Sequence, residues 1–159
     1  MKKWGVVIAI AVAVVVIWQA WSLYHGVEKK LDQEFAQTSA TAKQHYQLKK
    51  ILNVTYYHGT KAYDVVKAVN QHGKKEYIWI PYEKGKSYVR QAKSGWNKSK
   101  VMQFVQQQLH PKKLISVRLG IEEHIPVWEV AYIDQKNRYT FYYLRYDNGE
   151  WLKNIHLSK

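Results

Sequence analysis

From Trp4 to Tyr24 the chain carries no charge; beyond it, apolar residues recur in short runs that alternate with polar positions. At about 1.5 Å per residue, a helix over 4–24 reaches about 30 Å, the thickness of a bilayer's hydrocarbon core. Trp4 stands at one edge of the stretch and Trp18, Trp21 and Tyr24 at the other, where amphipathic rings settle among lipid headgroups. Lys2 and Lys3 hold the short tail 1–3 on the cytoplasmic side. The pattern predicts a single-pass transmembrane helix, N-terminus in, with everything after it extracytoplasmic in the cell membrane. A second reading stays open, because Ala20-Trp21-Ser22 places small residues where a signal peptide cut after Ser22 needs them. Both readings export the rest of the chain.

The remainder holds an internal repeat. Two segments, Ile51 to Val89 and Leu114 to Lys153, share a plan in which Val54 matches Val117 and Tyr63-Asp64-Val65 matches Trp128-Glu129-Val130. Tyr77 then matches Phe141, Trp79 matches Tyr143 and Gly85 matches Gly149. Each copy reads as four short runs rich in Val, Ile, Tyr and Trp, separated by turn signals at His72-Gly73, Lys84-Gly85, Asp134 to Asn137 and Asn148-Gly149. Such runs are antiparallel meanders, and Asn148-Gly149 is a strong hairpin signal because both residues tolerate positive φ.

A helix is expected before each meander. Ahead of the second, Asn97 can cap a helix in which Val101, Val105 and Leu109 recur at four-residue spacing and Pro111 stops it. Ahead of the first, Glu28 to Lys50 has few helix breakers, with Leu31, Phe35, Ala42 and Tyr46 on a four-residue rhythm. The predicted class is α+β: a transmembrane helix over 4–24, then two tandem α-ββββ repeats, at 25–93 with a stalk helix and at 94–159, each a helix on a small antiparallel sheet. Units near 60 residues are marginal alone, so the copies are expected to pack together.

Side-chain alternation assigns the faces. Ile78, Ile80 and Tyr82, with Tyr142, Leu144 and Tyr146, are expected under the helices. Tyr77, Trp79, Phe141 and Tyr143 point the other way, and Asp64 and Glu129 are expected to join them. That aromatic, charge-bearing face is the candidate partner-binding surface. The same rings could instead be consumed by packing between the copies or by cross-strand pairing.

Charge and composition narrow the chemistry. There are 25 Lys and Arg against 12 Asp and Glu, a formal net charge of +13, and no Cys. Disulfides, thiol nucleophiles and thiolate metal sites are excluded. Outside a membrane the polyanions at hand are lipid headgroups and anionic wall polymers, so no nucleic-acid partner is expected. No two of the seven His stand at metal-binding spacing on a helix, and Glu122-Glu123-His124 would point to alternate faces of a strand. The glycines are isolated and read as turn residues, so no phosphate-cradling loop is visible. Neither a catalytic constellation nor a metal or cofactor site is expected.

The stretches "VTYYHG", "YDVVKAVNQHGKKEYIWIP" and "LGIEEHIPVWEVAYIDQKNRYTFYYLRYDNGEW", with the Lys pair and single span before them, resemble the TseB (also called YpmB) family of cell-wall elongation regulators from Gram-positive bacteria. The resemblance covers essentially the whole chain. It implies two tandem cystatin-like domains, the second related to PepSY domains, held outside the membrane and associated with a penicillin-binding transpeptidase of lateral wall synthesis. It brings no catalytic residues. The function expected from residues and resemblance together is a non-enzymatic accessory protein; the alternative is a binding module for wall glycan or anionic polymer built on Tyr77, Trp79, Tyr143 and the basic surface.

Overall fold

A computed structural model describes residues 38–157 together with Val15, Trp18 and Ala36. The expected span over 4–24, with Lys2, Lys3, Trp4, Trp21 and Tyr24, lies outside the described residues except for Val15 and Trp18, which are helical and exposed. Among the described residues no helix is long and apolar enough to cross a membrane. The chain divides into two compact units, Met1–Ala40 and Thr41–Lys159.

The second unit holds two four-stranded antiparallel sheets, each a simple meander. The first comprises β1 (Leu48–His58), β2 (Ala62–Asn70), β3 (Lys75–Pro81) and β4 (Tyr88–Gln91). The second comprises β5 (Lys113–Glu122), β6 (Ile125–Ile133), β7 (Tyr139–Arg145) and β8 (Trp151–Leu157). The fold is therefore α+β with two tandem sheets and few helices, as the repeat predicts.

The turn chemistry is where the residues demand it. Gly73 and Gly149 adopt φ of 73° and 75°, and Asn148 accepts a hydrogen bond from the Glu150 amide at 3.0 Å. The Asp134 carboxylate accepts from the amides of Lys136 and Arg138, both at 2.9 Å, which closes the β6–β7 turn. Residues 38–45 belong to α1, and Asn97 caps α2 (Lys98–Phe104), its side-chain oxygen accepting from the Lys100 amide at 2.9 Å. The helix continues as one wider π turn over Val105–Leu109 and ends at His110, whose left-handed φ of 44° precedes Pro111. Val101 and Val105 are fully buried against the second sheet, as their spacing requires.

Two expectations are corrected. The first helix does not run to Lys50: residues 38–45 are helical, Gln47 turns the chain at a φ of 51°, and β1 starts at Leu48. Few breakers stand in that stretch, but pairing with β2 decides it. Leu48 and Ile51 pair across to Asn70 and Ala68 through two bulges, burying Leu48 in a small core with Ala42, Val66, Ala68 and Ile78.

The second correction is a one-residue slip in the repeat. Val66 pairs with Ile78, and Val130 pairs with Tyr142, so Val66 rather than Val65 is the counterpart of Val130. A slip of one residue exchanges faces. Asp64 therefore pairs with Ile80 and sits on the helix side of the first sheet, away from Tyr77 and Trp79, where it accepts a hydrogen bond from the Tyr82 hydroxyl at 3.2 Å. Glu129, Phe141 and Tyr143 do share one face of the second sheet.

The two copies pack together. Tyr57, Tyr63, Val65 and Trp79 from the helix-free face of the first sheet enter one core with Val117, Leu119, Trp128, Val130 and Leu144 of the second. Trp79 meets Tyr146 edge-on at 5.8 Å, and Tyr77 meets the same ring at 6.0 Å. Strands β1 and β2 both contact β5, the strand at that edge of the second sheet.

Candidate functional site

The six residues singled out by sequence separate into three places. Trp79 is fully buried between the sheets, with its indole N–H lacking a hydrogen-bond partner among the described residues, and half-buried Tyr77 lies beside it. Asp64 is buried at the far side of the first sheet next to the exposed, edge-on ring pair Tyr56 and Tyr82, 5.4 Å apart. Glu129, Tyr143 and Phe141 lie on the face of the second sheet opposite α2. For Tyr77 and Trp79, packing between the copies is what consumes the rings.

That last face is built in cross-strand rows. Arg118, Glu129, Tyr143 and Lys153 stand side by side across β5 to β8; Ala131, Phe141 and Ile155 form the next row, and Ile133, Tyr139 and Leu157 the one after. The first row is a polar network with a buried centre, Glu129 and Tyr143, between partly exposed basic ends. Glu129, 2% exposed, accepts from Arg118 Nε at 2.6 Å and from the Tyr143 hydroxyl at 3.0 Å. The Lys153 ammonium lies 4.9 Å from the centre of the Tyr143 ring and donates to Glu122 Oε2 at 2.6 Å.

Glu122 is the residue that sequence reasoning undervalued. It too is 2% exposed, and it receives the Tyr57 hydroxyl at 2.7 Å and Thr60 Oγ1 at 3.1 Å, both from the first copy. The Tyr57 ring lies flat over Gly120, where a Cβ would collide with it, and the Arg118 guanidinium sits 5.5 Å from the ring centre. Adjacent side chains do diverge here: Glu122 points inward, Glu123 is exposed, and His124 Nδ1 lies 2.9 Å from the Tyr88 hydroxyl. The only available signal was Gly120 itself, a glycine inside a strand-forming run, which marks a close approach.

The electrostatics follow from these contacts. Burial alone pushes the Glu122 carboxyl up, but hydrogen bonds from Lys153, Tyr57 and Thr60 outweigh it and hold the group below its ordinary 4.5. Burial first, then the neighbouring Glu122 and Glu129 carboxylates, push the Tyr57 hydroxyl up; burial and Glu129 do the same to Tyr143. Both tyrosines thus stay neutral donors. A depressed carboxyl stabilises the fold fully above its unfolded value and loses that contribution as pH falls through its folded value. Thermal unfolding of the full chain and of Glu122→Gln, followed from pH 7 down to pH 3, should show a constant gap in midpoint above pH 5 that closes on further acidification. A gap that is unchanged from pH 7 to pH 3 would remove the carboxylate from this role.

The acids and tyrosines of this face are committed to one another, so nothing in the first row is poised for acid–base or nucleophilic chemistry. What remains accessible is its apolar end: Phe141 and Tyr139 are partly exposed with their rings 5.1 Å apart, beside exposed Ile155 and Leu157 on the edge strand β8. Fold and site together define a tandem two-sheet module with an aromatic and aliphatic contact strip.

Comparison with known proteins shows what the chain is similar to. Residues 37–81, the first helix through β3, match the model described as "Cell wall elongation regulator TseB-like domain". A Bacillus subtilis (strain 168) protein named "Probable cell wall elongation regulator TseB" is 28% identical over 135 residues, 84% of this chain and 84% of that protein. The solved structure titled "YpmB protein from Bacillus subtilis" superposes with a TM-score of 0.71 at 29% identity, covering 77% of this chain and 96% of its own. All three comparisons point to TseB/YpmB-like proteins, in agreement with the resemblance carried by the strand and turn motifs.

Proposed function

We propose that this chain is a membrane-anchored, extracytoplasmic, non-catalytic regulator of cell-wall elongation, and that it acts by holding a penicillin-binding transpeptidase against the outer face of its second sheet. The name of the Bacillus subtilis relative supports the elongation role. The observation that carries the docking surface is the strip Tyr139, Phe141, Ile155 and Leu157. Exposed apolar side chains cluster there on one face beside a free sheet edge, the composition of a protein contact rather than of a solvated surface.

The polar row beside the strip supports the same reading. Salt-bridged Glu129 and Glu122 pin β5 to β8, so the strip is presented on a rigid sheet and little ordering is left to oppose docking. Anchoring through 4–24 confines both partners to one surface and raises their effective concentration, so a weak contact is enough.

Crosslinking in intact membranes tests the partner and the surface together. Phe141→Arg combined with Ile155→Glu should abolish the crosslink to the transpeptidase while the unfolding midpoint stays within a few degrees of the parent, because both side chains already meet solvent. An undiminished crosslink would remove the strip from the interface. A freely secreted form lacking 1–24 should fail to restore normal cell length; full complementation would reject the anchoring.

A further inference from the structure

We propose that the cleft between the two sheets binds a single anionic sugar unit. A cavity of about 260 Å³ opens where the helix-free face of the first sheet meets β5, β6 and the start of α2. Its first wall is one cross-strand row, Asn53, Lys67 and Tyr77, which offers an amide, an ammonium and a ring side by side. Lys98 and Arg118 close the opposite side.

Three features give the ligand its class. First, the lining holds three basic residues and no carboxylate. Arg118 is tied through Nε to Glu129, but Lys67 and Lys98, which have no ion pair among the described residues, bring charge to a partly enclosed space, where an anion is favoured far more than on open surface. Second, the Tyr77 ring is held rigidly, edge-on to Tyr146 and tilted against Trp79 at 6.1 Å, with the Lys67 ammonium 5.9 Å from its centre. A fixed ring beside an amide and the hydroxyl of Thr55, which accepts from Asn53 at 2.9 Å, suits a flat, hydroxyl-bearing ligand better than a bare ion. Third, the volume lies just under the roughly 300 Å³ at which drug-sized pockets begin, so one ring with its charged substituent fills it.

The charged substituent is a phosphate or a carboxylate, and the two are separable. Full-length chain in a polyoxyethylene detergent, which carries no sugar, is titrated calorimetrically with glucose 6-phosphate, glucuronate, glucose and inorganic phosphate. At least one of the two anionic hexoses should bind about tenfold or more tighter than either glucose or phosphate, and its affinity should fall with added salt. The tighter of the pair identifies the substituent. Lys67→Gln with Lys98→Gln should weaken it by about tenfold and flatten the salt dependence, since both side chains reach solvent and neither is needed to fold. Tyr77→Phe should retain binding, because the ring and not the hydroxyl is used.

Equal affinity for glucose, equal affinity for inorganic phosphate, or an unchanged affinity in the double lysine variant would each overturn the site. The cleft is separate from the docking strip on the second sheet, so the lysine variant should leave the transpeptidase crosslink intact. Loss of one result therefore leaves the other standing.

Discussion

Gly120→Ala is expected to lower the unfolding free energy of the full chain by roughly 3 kcal/mol, a large share of the 5–15 kcal/mol typical of a folded domain. The new methyl would occupy the space of the Tyr57 ring, so the ring or the strand has to shift. Displacing the ring overpacks the contact, at about 1–3 kcal/mol, and breaks the hydrogen bond from the Tyr57 hydroxyl to the buried Glu122 carboxylate, a further 1.5–3 kcal/mol or so. Replacing a strand glycine returns only about 0.5–1 kcal/mol of that. Urea unfolding of Gly120→Ala, Tyr57→Ala and the double variant decides the matter: once the ring is gone the alanine should cost almost nothing, so the two losses should be far from additive. Additive losses, or a neutral Gly120→Ala, would mean that the ring does not rest on this strand.

Glu129→Ala should be nearly as damaging, at about 3 kcal/mol, near the lower end of the range for breaking a buried charge pair. It leaves the Tyr143 hydroxyl, 5% exposed, without its acceptor, whereas Arg118, 37% exposed, recovers part of its hydration. Glu129→Gln keeps the shape and one acceptor oxygen and should cost less than half as much. If the two variants unfold at the same denaturant concentration, the shape and remaining acceptor kept by Gln contribute nothing and the whole loss comes from the charge of Glu129.

The parts of this molecule that were legible beforehand are those decided by neighbours in the chain. Asn97 caps its helix through an amide three residues on, and Gly149 closes a hairpin between adjacent strands. Meander order followed from the turns. What escaped was decided by partners far along the chain. The boundary at Gln47 depends on β2 pairing with Leu48 and Ile51, and nothing in the local helical rhythm carries that information. Asp64 was misplaced because the two copies differ by one residue in how β2 and β6 align, and a period of two turns a small alignment error into a change of face. Glu122 reads as half of an unremarkable acidic pair until Tyr57 and Thr60 arrive from the other copy.

One consequence of the way the copies meet concerns which halves can recognise each other. Tyr57 pairs with Tyr63 in the first sheet where Gly120 pairs with Val127 in the second, so the bulky ring and the bare backbone it covers occupy the same station of the repeat. Gly59 and Glu122 are matched in the opposite sense, the glycine of the first copy leaving room for the glutamate of the second. Like halves brought together would set ring against ring at one station and leave a hollow at the other. The duplicated module has thereby become a plug and its socket, and a first copy has no favourable way to pack against another first copy.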